Sequence, residues 1–209
     1  MAHLIALDWG TTSLRAYLLD DAGAILDRRE GGPGIMKVDG GGFEAALEAF
    51  CGDWIAAHPQ ARLVASGMIG SKQGWREAPY CPCPASAADL AAHTIDVPLA
   101  RGRHLTIVPG VSCVDPASGV PDVMRGEETQ VFGALPASGR HLAVLPGTHS
   151  KWVWVEDGAI VTFASFMTGE VYAALTGHTI LGRLMDLDAP HDEAAFARGV
   201  AYGLEAPQA

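Results

Sequence analysis

The sequence has no long apolar run. No stretch approaches the roughly 20 consecutive apolar residues of a membrane span, and the opening MAHLIALDWG lacks the basic start of a secretory signal. The expectation is a cytoplasmic protein with no membrane partner. Basic residues are scarce, 14 Lys and Arg against 24 Asp and Glu for a net charge of −10. That excludes the broad basic face used for nucleic acid. It does not exclude a small anion, which a few backbone amides and one lysine can hold. Cysteine is sparse. Cys51, Cys81, Cys83 and Cys113 form no pair of zinc knuckles, because CPC lacks the two-residue gap, so free thiols are expected in a non-secretory chain. Also missing are the Walker phosphate loop, Gly-x-Gly-x-x-Gly, His-Glu-x-x-His and the Gly-x-Ser-x-Gly elbow. P-loop, dinucleotide, zinc-protease and serine-hydrolase readings lose their main support.

What is present suffices for a packed core: 49% hydrophobic and 18% charged residues over 209 positions. Short apolar runs at 3–8, 14–19, 24–29, 62–66 and 104–108 predict strands, and DDAG marks a turn between the second and third. Phe43, Leu47, Phe50 and Trp54 recur at helical spacing, predicting a helix over 43–57 that His58-Pro59 ends. Residues 127–135, 169–186 and 192–204 also read as helices. HLAVLPG and KWVWVEDGAIVTFAS read as a strand and a hairpin, with Trp152 and Trp154 on one side of it and assigned to packing. The segment between 67 and 86 reads as a long irregular loop, a frequent carrier of function. The class is α/β.

One phrase occurs twice. ALDWGTTSLRAYLLD is an apolar strand, Gly10-Thr11-Thr12-Ser13, an alternating strand, a turn, then Gly23-Ala24-Ile25. LAVLPGTHSKWVWVEDGAIV repeats that order through Gly147-Thr148-His149-Ser150 to Gly158-Ala159-Ile160. Duplication predicts two lobes whose turns face a shared cleft. Exposed amides and hydroxyls in such turns suit phosphate oxygens, with glycine allowing close approach. Gly10, Thr11, Thr12, Ser13, Gly147, Thr148 and Ser150 are the candidate phosphate contacts, and Lys151 is a counter-charge. Asp8 would repel phosphate directly, so it implies an intervening Mg²⁺. The second copy has Leu145-Pro146 there instead, and His149 is assigned to shaping the turn.

These motifs resemble the sugar kinase, Hsp70 and actin superfamily. ASGMIGSKQGWREAPY and DVMRGEETQVFGAL, taken with the two repeats, are similar to signature stretches of the 2-dehydro-3-deoxygalactonokinases over residues 6 to 175. The resemblance implies a ribonuclease-H-like, actin/hexokinase-type fold with duplicated lobes of mixed sheet flanked by helices. Residues 1–136 would form the sugar-acid lobe and 137–209 a partial second lobe, because no Gly-rich adenosine motif precedes the closing GVAYGLEAPQA. A shortened lobe leads to the expectation of an exposed apolar face, low solubility and homo-oligomers.

The implied activity is ATP- and Mg²⁺-dependent phosphorylation of 2-dehydro-3-deoxy-D-galactonate to its 6-phosphate, a step of galactonate catabolism. A carboxylate must take the proton of the attacking hydroxyl. Glu128 is preferred to Glu127 for this, with Asp8 as rival. Arg15 and Arg125 are candidates for the substrate carboxylate. Ser71, Lys72, Gln73 and Trp75 supply donors and an aromatic platform for the sugar acid. Two alternatives stay open at this point: a kinase-like fragment that binds sugar acid without turnover, and a polyphosphate or nucleotide phosphatase of the same superfamily.

Overall fold

The computed structural model describes residues 2–115, 117–186 and 188–205. In chain order the elements are β1 (Ala2–Trp9), β2 (Ser13–Asp20), β3 (Ile25–Pro33), α1 (Phe43–Ala57), β4 (Arg62–Ser66), β5 (Cys81–Pro82), β6 (Ala85–Ser86), α2 (Ala87–Ala92) and β7 (Ile95–Pro98). There follow β8 (His104–Ile107), β9 (Val111–Val114), β10 (Pro121–Met124), α3 (Glu127–Ala134), β11 (Arg140–Leu145), β12 (Ser150–Glu156), β13 (Ala159–Phe166), α4 (Thr168–His178) and α5 (Glu193–Glu205). They fall into two compact units, divided after Thr168.

The first unit is built on a six-stranded sheet in the order β3-β2-β1-β4-β8-β7. β1 to β3 form an antiparallel meander, β4 runs parallel to β1, and β8 parallel to β4. Ile5, Leu7 and Trp9 alternate inward along β1 and are buried, the period-two pattern that makes this segment a strand. α1 contributes the stripe Phe43, Leu47, Cys51 and Trp54 to the same core, each large apolar side chain contributing about 2 kcal/mol on burial. The helix stops where the His58 N–H bonds the Trp54 carbonyl, just before Pro59, which has no N–H to continue it. Because β1 and β4 are parallel and in register, Asp8 and Ser66 finish side by side at their carboxyl ends. Open α/β sheets place ligands at that edge.

The repeated phrase forms repeated structure. β11, β12 and β13 are a second antiparallel meander, and Ser13 and Ser150 each open the strand that follows the Gly-Thr turn. This sheet has the order β11-β12-β13-β6. The two-residue strand β6 crosses from the 67–86 segment to pair with β13. A small sheet, β10-β9-β5, shares a second core with it, in which Val111, Met124, Val153, Ile160 and Phe163 are buried.

Three expectations need correction. The 67–86 loop is partly ordered into β5 and β6 and leads into α2, whose start carries a capping box between Ser86 and Asp89, a readable signal. The helix expected over 169–186 ends at His178, with a 3-10 turn at Leu181–Leu184. There the Thr179 hydroxyl donates to the Leu175 carbonyl and accepts from the Leu181 N–H, replacing helical backbone bonds as short hydroxyl side chains do. Trp152 and Trp154 share one side of the hairpin, but it is the outer side. They are 40% and 39% exposed, while Val153 and Val155 point into the core. Residues 206–209 of the closing stretch lie outside the described residues. Among the described residues no helix is long and apolar enough to cross a membrane, and all four cysteines are free.

Candidate active site

Both Gly-Thr turns line one cavity of about 500 Å³. From the first turn come Asp8, Gly10 and Thr11. From the second come Gly147, Thr148, His149 and Lys151. Arg125, Gly126 and Glu127 close a third side at the start of α3. Thr12, Ser13 and Ser150, expected as phosphate contacts, do not line it. The Ser13 carbonyl accepts from the Gly10 N–H. The Ser150 hydroxyl accepts from the Gly147 N–H at 3.3 Å and bonds Thr168. Ser13 and Ser150 shape their turns instead.

The first turn is braced from behind by a segment that carries no sequence motif. The Ile35 N–H donates to the Gly10 carbonyl and the Met36 N–H to the Thr11 carbonyl, at 3.0 and 3.2 Å. The Trp9 indole N–H reaches the Pro33 carbonyl at 2.9 Å. Gly34 fits here because a Cβ would lie 2.3–2.4 Å from the backbone of Thr11, Thr12 and Ser13. A second close approach joins the strand ends to α3. Gly67 and Gly126 both have positive φ, +96° and +108°, and a Cβ on Gly126 would lie 3.2 Å from the Gly67 Cα. Only glycine adopts this backbone without strain, and the contact brings Glu127 to the carboxyl end of β1.

The two acids of α3 differ sharply. Glu127 faces the cavity, with Oε2 accepting the Arg125 backbone N–H at 3.0 Å. Glu128 is fully buried and lines none of the cavities described for the chain. Its Oε2 accepts the Gly126 N–H at 2.7 Å and its Oε1 accepts the Thr129 hydroxyl at 3.2 Å. Burial pushes its carboxyl up to about 7, against the stabilisation of the anion by those bonds. The preference for Glu128 as base is therefore corrected. It supports the turn beneath Gly126, and the acids open to the cavity are Glu127 and Asp8.

Asp8 Oδ2 accepts from Arg15 Nη1 at 3.0 Å. Arg15 opens onto a separate cavity of about 370 Å³, shared with Asp8, Tyr17, Glu30 and Ser66, and does not line the main one. Lys151 is no surface lysine. It is 5% exposed, and Nζ donates to the Val123 carbonyl at 2.7 Å and to the Ser165 hydroxyl, with Asp122 Oδ1 at 3.8 Å. Its charge is largely committed to holding β10 against β12 and β13.

Ser71, Lys72 and Gln73 line an adjoining cavity of about 350 Å³ together with Glu77. Met68, Tyr80 and Arg125 border both this cavity and the main one. Trp75 leaves the sugar-acid set. Its ring stacks on Phe43 at 5.8 Å and meets Trp9 edge-on at 6.4 Å, so it packs against the core. Tyr80 was not anticipated, and its ring lies 4.2 Å from Arg125 Cζ. Burial pushes the Cys51 and Cys83 thiols up to about 12, which disfavours the reactive thiolate at both.

Among the described residues no group of three or more His, Cys, Asp or Glu can hold a metal. Asp8 offers one carboxylate. Mg²⁺ is usually held by one or two carboxylates, water and substrate phosphates. The donor set therefore fits an ion carried in with a nucleotide rather than one caged by protein.

Paired Gly-Thr turns on one cavity, at the carboxyl edge of a sheet ordered 3-2-1-4, define a protein of the sugar kinase and actin-like fold class. A family model described as 2-keto-3-deoxy-galactonokinase matches residues 8–209, and the chain belongs to that family. It is 39% identical over 181 residues to a protein of Rhizobium meliloti named a probable 2-dehydro-3-deoxygalactonokinase, covering 86% of this chain and 58% of that one. It is 35% identical over 208 residues to the 2-dehydro-3-deoxygalactonokinase of Escherichia coli, covering 99% and 67%. A crystal structure of a Sinorhizobium meliloti protein provisionally described as a 2-dehydro-3-deoxygalactonokinase matches with a TM-score of 0.82 at 34% identity, over 98% of this chain and 67% of that one. An Aquifex aeolicus Ppx/GppA phosphatase, at TM-score 0.51 and 14% identity over 98% of this chain and 63% of that one, shares the fold alone. The chain thus spans 58% and 67% of the lengths of the two named relatives.

Proposed function

We propose that this chain belongs to an ATP-dependent cytoplasmic kinase that phosphorylates 2-dehydro-3-deoxy-D-galactonate to its 6-phosphate in galactonate breakdown. The observation that carries the reading is the convergence of both Gly-Thr turns on one cavity that also holds Asp8 and Glu127. Family membership supplies the substrate. Residues 1–136 carry the acceptor side and 137–209 the second phosphate turn.

In this reading the amides of Gly10, Thr11, Gly147 and Thr148 receive phosphate oxygens. Asp8 would hold a Mg²⁺ brought in with the nucleotide, and the ion would supply charge neutralisation for the phosphoryl group. Glu127 accepts the proton of the attacking hydroxyl. Glu128 keeps the α3 start in place, and Lys151 keeps the second turn in place. A hydroxyl must outcompete water for the phosphoryl group, so the cavity has to exclude solvent when loaded.

Coupled ADP release with the sugar acid, Mg²⁺ and ATP tests this, with Asp8→Asn as control. Sugar-dependent turnover that disappears in the control supports the kinase. Free phosphate without phosphorylated sugar eliminates it in favour of a hydrolase. Thermal stabilisation by the acid with no turnover identifies a sugar-acid-binding unit instead.

A further inference from the structure

We infer that Arg125 and Ser71 form the carboxylate subsite of the acceptor, so that the cavity beside the phosphate cleft selects an acid over a neutral sugar. The inference rests on the kinase reading above and fixes which end of the acceptor lies where.

Among the described residues Arg125 is the only guanidinium that borders both the main cavity and the adjoining one. It is 9% exposed. Of its side-chain nitrogens only Nη2 has a protein acceptor, the Ala78 carbonyl at 2.8 Å. Nε and Nη1 are buried without one. The Tyr80 ring covers a face of the group, and the bare Cα of Gly70 makes room for Nη1, which a Cβ there would approach at 2.9 Å. No carboxylate among the described residues pairs with this guanidinium; Glu127 takes the backbone N–H of Arg125 instead. A buried cation with no anion and two idle donors is costly. Among the described residues Ser71 Oγ, on the same cavity, is the other buried side-chain donor without a partner.

A carboxylate on this cavity takes one edge of the guanidinium, through Nε or Nη1 but not both, with Ser71 Oγ as a further donor to it. A planar carboxylate matches the fork of the guanidinium, and Lys72 adds positive charge at the same wall. Glu77 lies on this wall too and opposes an anion there, so one negative charge is favoured over the two of a phosphate monoester. A carboxylate held here leaves the hydroxylated end of the acceptor toward Met68 and Tyr80, the residues shared with the cavity of Asp8 and Glu127.

The test is calorimetric titration of the full chain, without nucleotide, by 2-dehydro-3-deoxy-D-galactonate and by its neutral amide, followed by MgADP alone. The acid is expected to bind about 10- to 100-fold more tightly than the amide, the range of a charge-assisted pair. Arg125→Gln should erase the difference and leave MgADP affinity unchanged. Arg125 is buried, so Ser71→Ala is the companion variant. It removes an unpaired hydroxyl, should not lower the melting temperature, and should still weaken the acid several-fold. Equal affinity for acid and amide overturns the subsite, as does wild-type affinity for the acid in both variants. Failure of the acid to bind also overturns it. A parallel fall in MgADP affinity would assign Arg125 to the nucleotide phosphates instead. Because ADP release is measured separately, loss of the subsite and loss of the kinase reading are told apart.

Discussion

Arg15 and Asp8 are direct partners in the register of β1 and β2, and Arg15 Nη1 donates to Asp8 Oδ2 at 3.0 Å. The pair is half open to solvent, with side chains 48% and 34% exposed. Exposed pairs contribute little to stability, typically under about 1 kcal/mol. Asp8→Asn is therefore expected to leave the urea midpoint nearly unchanged while lowering sugar-dependent turnover at least about 100-fold. Arg15→Gln, which only frees an oxygen of Asp8, should cost less than about tenfold in turnover. A drop of several kcal/mol in Asp8→Asn would make this acid a structural one.

Gly34 tests the brace behind the first turn. Its φ of −68° suits any residue; what forbids a side chain is the backbone of Thr11, Thr12 and Ser13 at 2.3–2.4 Å. Gly34→Ala must push the turn or the 33–36 segment away. Overpacking of this kind costs about 1–3 kcal/mol. Melting should show that loss, and titration should show MgADP affinity falling more than acid affinity. Unchanged MgADP binding would mean that Thr11 and Gly10 do not touch phosphate.

These two residues mark what the sequence could and could not convey. The place of Asp8 on the cavity was legible because the strand, the glycine and the hydroxyls around it are local, and because the phrase recurs at Gly147. α1 was legible for the same reason: Phe43, Leu47 and Trp54 sit on one helical stripe that needs no distant partner to be recognised. Gly34 was not, since its role depends on a turn more than twenty positions earlier. β6 was not, because two residues paired with Ile160 and Ala159 leave no periodicity to read. Which of Glu127 and Glu128 opens to the cavity was not legible for the same reason. Neighbours on a helix face directions about 100° apart, and which one meets the cavity depends on how Gly126 packs against Gly67. Trp75 failed in the opposite sense, as a residue typical of binding sites that the fold uses for packing, while Lys151 lines the cavity but spends donors on Val123 and Ser165.

Lys151 can be separated from a phosphate ligand by stability. Lys151→Met removes the donor to the Val123 carbonyl and the Ser165 hydroxyl and leaves Asp122 without its buried cation. Breaking such a group costs about 3 kcal/mol, and urea unfolding should show it. If the variant unfolds like wild type yet binds MgADP tenfold more weakly, Lys151 acts on phosphate and its buried contacts are incidental.

Glu128 predicts a pH dependence of a defined sign. In the folded chain its carboxyl keeps its proton up to about 7, whereas the free side chain releases it near 4.5. Between those values the folded state binds more protons, so this group lowers stability as pH rises through the window and adds no further change above it. The upper bound is about 3 kcal/mol, from roughly 1.4 kcal/mol per unit. Gln in this place can still accept from Gly126 and donate to Thr129, and it carries no charge. Glu128→Gln should therefore match wild type near pH 4.5 and become the more stable protein toward pH 8, by less than that bound. Urea unfolding at intervals from pH 4.5 to 8 reads the difference directly. Turnover should persist in Glu128→Gln and collapse in Glu127→Gln. The reverse, activity lost in Glu128→Gln with no change in the pH slope of stability, would return the proton-accepting role to Glu128.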